Sequence, residues 1–334
     1  MKLDILLYRK SPFFLSMKNQ KENIIVTGGA GFIGSHLVEL LLNQNYAVTV
    51  IDNFDPFYDK KIKLNNLATF VNHPDVKILE LDILDPAALS NQLNLEYKAI
   101  FHLAAKAGVR PSIENPIAYQ EVNVKGTQNL LELARKKDIK QFIFASSSSV
   151  YGVNKNIPWK ESDGLLYPIS PYASTKISAE LMGHVYSHLY NIRFISLRFF
   201  TVYGPRQRPD LAIHAFSKKI LNNEPINFFG DGSTQRDYTY VGDIVSGVFN
   251  ALNYTNSNYE VFNLGNHNTV SLSEMVNTLE KVFQKKAIIN HLPEQMGDVA
   301  ITYADIEKAK KFLNYNPQMN FEKGIQEFKN WLLN

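Results

Sequence analysis

The stretch IIVTGGAGFIGSHLVELLL, residues 24–42, contains a Gly-x-x-Gly-x-x-Gly pattern between a β-branched run and an amphipathic run. Gly28 permits a tight turn, Gly31 lets the backbone approach a pyrophosphate, and Gly34 lets a helix lie close to the strand. The helix N-terminus presents free N–H groups and a positive dipole end to phosphates. A glycine trio alone is often only a turn. The flanking strand and helix make this one a candidate dinucleotide-binding motif.

Asp52 ends the second predicted strand, where a carboxylate can bind both hydroxyls of a ribose. The same carboxylate repels a 2′-phosphate, and the next residues, Asn53 and Phe54, provide no arginine to receive one. We therefore predict NAD as the cofactor rather than NADP. Asp82, after the third predicted strand, is a candidate contact of the adenine, and a solvated turn aspartate is the alternative.

Outward from this motif, short apolar runs alternate with helical patterns, which is typical of a parallel sheet with crossover helices. Each run is apolar on both faces, as a buried parallel strand requires. The predicted strands are 23–27, 47–52, 76–82, 99–104, 141–146 and 193–199, and a further helix (243–252) and strand (260–264) return to the sheet. The fold class predicted is α/β, a Rossmann doubly wound parallel sheet with a smaller α/β C-terminal substrate lobe.

The domain boundaries follow from changes of composition along the chain. Residues 203–237 are rich in Gly, Pro, Arg and Asp, which indicates loops over a site. We predict an N-terminal extension at 1–22, a dinucleotide-binding domain at 23–202 plus 238–266, and a smaller substrate-binding lobe at 203–237 plus 267–334. The first 20 residues are broken early by charged residues and proline, so they are not expected to form a signal peptide.

Composition excludes several other classes of protein. The chain has 334 residues, which is enough for two lobes, and its net charge of +3 is too small to indicate nucleic acid or an anionic membrane as a partner. It contains no cysteine, so it has neither disulfides nor a thiolate nucleophile. This composition fits a reducing compartment, and we expect a cytoplasmic enzyme.

Tyr172 and Lys176 are four residues apart at the start of a predicted helix, so their side chains share one face. An ammonium near a phenol lowers the pKa of the phenol and makes it a usable base near neutral pH. Tyr151 and Lys155 have the same spacing but lie in a stretch that reads as a loop. Only the first pair is therefore expected to be held rigidly.

Four motifs, TGGAGFIG (27–34), HLAA (102–105), SSSSVYG (146–152) and YASTK (172–176), resemble the extended short-chain dehydrogenase/reductase family. The resemblance runs from about Asn23 to the C-terminus. It implies that Tyr172 is the base, that Lys176 binds the nicotinamide ribose and tunes Tyr172, and that Ser147 completes the catalytic group. The cofactor contacts it implies are Gly28, Gly31, Phe32, Ile33, Gly34, Asp52, Asn53, Asp82, Ile83, Ala104, Ala105, Lys106, Asn123, Tyr172 and Lys176, with Asn123 matching a structural asparagine.

The stretch FFGDGSTQRDYTYVGD (228–243) resembles the segment that binds a nucleotide sugar in this family. Arg236 is then expected to hold the diphosphate of a UDP-sugar through charge-assisted hydrogen bonds. The alternative is a surface arginine paired with Asp237. Asn227 and Ser148 are further candidates for substrate contact.

Three segments, 107–116, 198–212 and 297–317, resemble the UDP-glucuronate 4-epimerases. The resemblance assigns Thr201 and Arg208 to the carboxylate of the sugar, and a neutral hexose is expected to leave Arg208 unpaired. Arg110 either lines the same pocket or stabilises its loop. Related decarboxylases carry a glutamate two residues before the VYG tyrosine, where this chain has Ser149, so epimerisation is favoured.

Several alternatives stay open from the sequence. The rivals are a UDP-glucose or UDP-N-acetylhexosamine 4-epimerase, a UDP-glucuronate decarboxylase, and a non-catalytic NAD-binding sensor. His184 and His188 lie four apart on a helix, but no third ligand accompanies them, so we predict no metal. Segments 117–136 and 172–190 resemble helices that build a four-helix dimer interface, which implies a homodimer.

Overall fold

The structure, a computed structural model, describes residues 21–164, 167–293 and 299–334. Residues 1–20 of the predicted N-terminal extension (1–22) therefore lie outside the described residues. The strands are β1 (Asn23–Thr27), β2 (Ala47–Asp52), β3 (Val76–Glu80), β4 (Ala99–His102), β5 (Gln141–Ser147), β6 (Arg193–Phe199), β7 (Thr201–Tyr203), β8 (Pro225–Phe229), β9 (Gln235–Arg236), β10 (Tyr238–Tyr240), β11 (Tyr259–Leu264), β12 (Val270–Ser271) and β13 (Ile288–Leu292).

Helices follow most of the strands of the described chain. They are α1 (Phe32–Asn43), α2 (Lys60–Leu67), α3 (Pro86–Gln92), α4 (Val109–Glu114), α5 (Pro116–Tyr119), α6 (Gly126–Lys136), α7 (Pro171–Tyr190), α8 (Ala212–Asn222), α9 (Val241–Asn250), α10 (Leu272–Phe283), α11 (Glu307–Leu313) and α12 (Phe321–Leu333). The start of α7 is fixed by Ser170, whose hydroxyl accepts from the N–H of Ala173, and by Pro171 in the first turn.

Seven of the strands form one parallel sheet in the order β11-β6-β5-β4-β1-β2-β3. The order reverses between β1 and β4, and in open α/β sheets the ligand binds outside the carboxyl ends of the strands at this point. One face packs against α1 and α9 through Leu37, Leu41 and Ile244. The other face packs against α3, α6 and α7. The predicted doubly wound sheet is confirmed.

A second lobe has a hydrophobic core of its own, built from α8, α10, α12 and the β8 strand. Ile220, Phe228, Leu279 and Phe328 belong to this core. The sequence placed everything from residue 267 onward in this lobe, but Leu313 of α11 packs in the core of the large sheet. The boundary therefore differs from the predicted one, because the chain returns once more to the sheet before it ends.

Two local features also differ from the sequence prediction. Strand β3 is an edge strand whose residues are only partly covered, so it is not apolar on both faces as predicted. The segment predicted as one helix over 117–136 contains a π-helical turn at Gln120–Lys125 between α5 and α6. Such turns often occur at functional sites, and this one carries Asn123. Within the described residues, no helix has both the length and the apolar character needed to cross a bilayer.

Candidate active site

The glycine turn lies between β1 and α1 with little space around its backbone. Gly28 has φ +71°, and a Cβ on it would lie 2.7 Å from the backbone nitrogen of Ala104. A Cβ on Gly34 would lie 2.2 Å from the carbonyl oxygen of Gly28, so the turn and the helix tolerate only glycine there. This close packing brings the N-terminus of α1 to the edge of the sheet, where it suits a pyrophosphate.

Asp52 lies at the carboxyl end of β2, beside this turn, and its carboxylate is held in place by three donors. The N–H groups of Ala30 and Phe54 donate to it at 3.2 and 2.9 Å, and Lys63 Nζ donates at 3.0 Å. The Asp52–Lys63 pair is buried, with 5% and 10% of the side chains exposed. Lys63 was not predicted from the sequence, because it lies on α2, 11 positions after Asp52.

A cleft of about 660 Å³ runs from the glycine turn to the loop after β7. Most of the residues predicted to bind cofactor or substrate line it: Gly28, Gly31, Phe32, Ile33, Gly34, Asp52, Asn53, Asp82, Ile83, Ala104, Ala105, Lys106, Ser147, Ser148, Tyr172, Lys176, Thr201 and Arg208. Asn53 donates to Asp82 at 2.9 Å, which fixes both side chains at one end of the cleft. Tyr58 and Tyr119, which were not predicted from the sequence, also line the cleft.

Ser147, Tyr172 and Lys176 meet at the centre of this cleft. Ser147 ends β5, and its hydroxyl, which donates to Ser149 Oγ at 3.1 Å, lies near enough to the Tyr172 phenol to act on the pKa of that phenol. The Tyr172 ring packs edge-on against Tyr119 with ring centroids 6.2 Å apart. Lys176 Nζ donates to the carbonyl oxygen of Ala145 at 2.7 Å. Strand β5 and helix α7 thus fix a hydroxyl, a phenol and an ammonium in one place, which suits proton transfer.

The pKa values of Tyr172 and Lys176 are set by burial, which differs from the sequence prediction. Burial raises the pKa of the Tyr172 phenol, while the hydrogen bond with Ser147 and the charge of Arg208 oppose that rise. Burial also lowers the pKa of Lys176 to about 7. The prediction that Lys176 lowers the pKa of Tyr172 is not what the structure shows. The ammonium is desolvated and directed at a backbone carbonyl, and it lies 5.8 Å from the Tyr172 ring centroid.

A buried ion pair anchors the helix that carries Tyr172 and Lys176. Glu180, one turn after Lys176, accepts two hydrogen bonds from Arg198 of β6 at 3.1 and 2.8 Å. It also accepts from Ser146 at 2.5 Å. Because a buried charge without its partner is costly, this pair holds α7 against the sheet. No local pattern indicates this pair, since the two residues are 18 positions apart.

Asn123 does not line the cleft but supports its wall. Its amide exchanges two hydrogen bonds with the backbone of Lys106, at 2.8 and 2.9 Å, and donates to Thr175 at 3.1 Å. The π-helical turn directs this side chain between the loop after β4 and helix α7. This geometry agrees with a structural rather than a ligand-binding role.

Thr201 and Arg208 line the far end of the cleft, at the start of β7 and in the loop after it. The guanidinium of Arg208 lies over the Phe57 ring at 5.5 Å from its centroid. It is also paired with Asp210, as Nε and Nη2 donate to the two carboxylate oxygens at 3.0 and 2.7 Å. The prediction that a neutral hexose leaves Arg208 unpaired is therefore wrong, because the chain supplies a carboxylate of its own.

Three predicted substrate residues lie away from the described lining of the cleft. Arg110, on α4, stacks over the Phe229 ring at 5.5 Å and so bridges the two lobes. Asn227, on β8, accepts from Asn290 at 3.0 Å. Arg236, on β9, donates to the carbonyl oxygen of Gln235 at 2.8 Å.

Asp237, offered as an alternative partner of Arg236, has other partners. Its buried carboxylate accepts from Thr239 and from the N–H groups of Asn266, His267 and Ala304, at distances of 2.6 to 3.2 Å. These four bonds tie the segment that follows Arg236 to β10 and to the loops that carry His267 and Ala304.

The second Tyr and Lys pair has a structural environment. The Tyr151 hydroxyl donates to Asn263 at 2.7 Å and accepts from Arg198 at 3.0 Å, and the ring is buried. Tyr151 therefore joins strands of the sheet and does not face the cleft. His184, one of the two histidines weighed as metal ligands, packs edge-on against Tyr259, with ring centroids 4.9 Å apart.

The fold and the site together define an enzyme of the extended short-chain dehydrogenase/reductase class. The model of the GDP-mannose 4,6 dehydratase family matches residues 25–328, and the chain belongs to that family. The resemblance seen in the four sequence motifs is thereby confirmed.

Individual relatives show which enzymes of the family the chain is similar to. A UDP-glucuronate 4-epimerase of Thermodesulfobacterium geofontis is 41% identical over 309 residues, 92% of this chain and 95% of the relative. The crystal structure of UDP-glucuronic acid 4-epimerase from Bacillus cereus, in complex with UDP-glucuronic acid and NAD, is similar with a TM-score of 0.87 and 38% identity, over 93% of this chain and 99% of that one. A UDP-glucose 4-epimerase of Thermotoga maritima with UDP-glucose has a TM-score of 0.85 and 32% identity, over 93% and 98%.

Proposed function

We propose that this protein is a UDP-glucuronate 4-epimerase, which interconverts UDP-glucuronate and UDP-galacturonate through a transient 4-keto sugar with bound NAD. The observation that carries the proposal is that Arg208 and Thr201 share one cleft with Ser147, Tyr172 and Lys176. An anion-binding arginine beside a proton-transfer group is the combination that a uronate requires. The relatives named for this activity support the same substrate.

NAD fits the residues at the sheet edge. The glycine turn leaves room for backbone but not for a Cβ, and Asp52 lines the cleft beside it, with its carboxylate held by the N–H of Phe54. When bound, NAD accepts hydride from C4 of the sugar and returns it. We propose that Asp52, Asn53 and Asp82 hold its adenosine end and that Lys176 holds the nicotinamide ribose.

In the proposed mechanism Tyr172 takes the proton of the 4-hydroxyl and later returns it. Ser147 donates its hydrogen bond to the reacting oxygen, and its contact with Tyr172 keeps the two oxygens close. Epimerisation requires that the ketone turn over between the two proton transfers, so that hydride returns to the other face. Ser148 and Ser149, at the positions where acid–base groups of related enzymes occur, are in the cleft but have no carboxylate.

A 4-keto uronate is a β-keto acid and readily loses carbon dioxide. We propose that Thr201 and Arg208 suppress this loss by holding the carboxylate near the plane of the ketone. In that orientation the bond to the carboxylate carbon does not overlap the carbonyl π-system, so it is not weakened.

The diphosphate and uridine end of the substrate is assigned to the second lobe. Arg236 would hold the diphosphate, and Arg110 and Asn227 would contact the nucleotide side of the cleft. Arg110 supports this assignment because its contact with Phe229 joins the two lobes. We also infer a cytoplasmic location, which a chain without cysteine favours.

The test of the function is incubation of the purified protein with UDP-glucuronate, without added dinucleotide or reductant. We expect UDP-galacturonate as the product, identified by its proton NMR couplings. A UDP-pentose with carbon dioxide would instead identify a decarboxylase. In a parallel incubation with UDP-glucose, conversion of that sugar but not of UDP-glucuronate would identify a neutral-hexose epimerase.

We propose a homodimer formed through α7 and the segment around α5. Leu181, Val185 and Leu189 form an exposed row along α7, with 64, 48 and 59% of each residue exposed, and Ile117 is 70% exposed. Three apolar residues at a spacing of four on one helix face are typical of a helix-packing surface. A second copy fits this surface, because a two-fold axis would pair the row with itself.

Val185→Asp is expected to convert the dimer to a monomer. Burial of one such side chain contributes roughly 1.5–3 kcal/mol to the free energy of association. A two-fold interface contains two copies of Val185, so the substitution removes this contribution twice. The measurement is light scattering after size exclusion, with Leu95→Asp as the control, since Leu95 is 52% exposed outside the helix row. Equal masses for wild type and Val185→Asp would contradict the proposed interface.

A further inference from the structure

Asp210 occupies one of the two edges that the Arg208 guanidinium can offer to a carboxylate. Its oxygens accept from Nε and Nη2 at 3.0 and 2.7 Å, a bidentate pair. The pair is partly buried, with 18% of the Arg208 side chain and 37% of the Asp210 side chain exposed. Since partial burial reduces screening by water, each charge feels the other more strongly than in an exposed pair.

The two residues belong to one turn, so they can separate without a change of fold. The N–H of Leu211 donates to the Arg208 carbonyl oxygen at 3.2 Å, which closes the turn. Helix α8 begins directly after it, at Ala212. A rotamer change of the more exposed partner, Asp210, is enough to uncover the guanidinium, while Phe57 still restrains Arg208.

We propose that Asp210 determines how strongly this site prefers a uronate to a neutral sugar. The inference rests on the proposed function, in which Arg208 binds the sugar carboxylate. A uronate must either replace the Asp210 carboxylate or bind beside it. Part of the binding free energy between the sugar carboxylate and Arg208 is therefore offset. A neutral hexose leaves the Arg208–Asp210 pair intact and therefore avoids the cost of an unpaired guanidinium.

A simpler role for Asp210 is that of a clamp that holds the turn between Arg208 and Leu211. The two roles differ in what neutralisation of the carboxylate does. If Asp210 only holds the turn, Asp210→Asn affects all substrates alike. If it competes for Arg208, the change favours anionic substrates and penalises neutral ones, because Arg208 then lacks a counter-charge until a uronate binds.

The experiment compares Asp210→Asn with wild type on UDP-glucuronate and on UDP-glucose, measuring kcat and KM for each. We expect KM for UDP-glucuronate to fall and the ratio of the two kcat/KM values to rise by about tenfold in favour of the uronate. Asp75→Asn is the matched control, because Asp75 pairs with Lys21 at 2.6 Å on the far edge of the sheet. Asp210→Ala repeats the test with a different side chain.

An unchanged or lower ratio in both Asp210 variants would overturn this inference and leave the proposed function intact. Absence of UDP-glucuronate epimerisation by the wild-type protein would overturn the proposed function and this inference with it. Inhibition by acetate gives a further readout: it is expected to strengthen in the Asp210 variants, where Arg208 is open to small carboxylates, and equal inhibition of wild type and variants would count against the proposal.

Discussion

Replacement of Tyr172 by Phe is expected to lower kcat by about 10³-fold, within the range by which a positioned acid–base group accelerates proton transfer. The phenylalanine ring keeps the edge-on packing against Tyr119 and the burial of the position, so the fold is retained. What is lost is the one phenol oxygen that lies beside Ser147. KM and the amount of NAD that purifies with the protein should change little, because neither depends on that oxygen.

The control is Tyr254→Phe, which removes a hydroxyl that contacts Ser257 outside the cleft, at 3.1 Å. This variant should retain wild-type kcat. A Tyr172→Phe protein within tenfold of wild type would contradict the role assigned to the phenol. Since the serine and lysine partners remain in that variant, such a result would indicate that another group of the cleft transfers the proton.

Replacement of Arg208 by Leu is expected to lower kcat/KM for UDP-glucuronate by about 10²-fold or more, as charge-assisted bonds to a buried carboxylate are lost. The same variant should act on UDP-glucose at close to the wild-type rate, because a neutral C5 substituent makes no ion pair. Pure structural damage would lower both activities, so the comparison of two substrates within one variant separates the two causes.

Arg135→Leu provides the matched control for the loss of a guanidinium. Arg135 pairs with Glu132 on the outer face of α6, at 2.8 Å, away from the cleft. In the Arg208→Leu variant the Asp210 carboxylate loses its partner. The double variant with Asp210→Asn also removes that charge. Full UDP-glucuronate activity in the single or the double variant would show that Arg208 does not bind the sugar carboxylate.

The fold was predictable because its signals are local. The strands β1, β2 and β6 have the predicted bounds, since each is a short and mostly apolar run. The glycine turn is likewise contained in a few consecutive residues. The partial cover of β3 was not predictable, because it depends on which strand ends the sheet, a property of the whole topology.

The site was predictable only where neighbours in sequence carry the chemistry. Tyr172 and Lys176 share a helix face, whereas Lys63 reaches Asp52 from another helix and Glu180 reaches Arg198 from another element. Asp210 is close in sequence to Arg208, yet the pattern did not reveal the pair because its geometry depends on the turn. The pKa of Tyr172 also escaped prediction, since it is set by burial.

The most direct test of the account uses UDP-glucuronate carrying deuterium at C4, given to the purified protein without added dinucleotide. Removal and return of hydride at one carbon, on one retained cofactor, predicts UDP-galacturonate with the deuterium still at C4. NMR and mass spectrometry of the product measure this directly. Product that has exchanged the label for solvent hydrogen, or that has lost carbon dioxide, would contradict the proposed reaction.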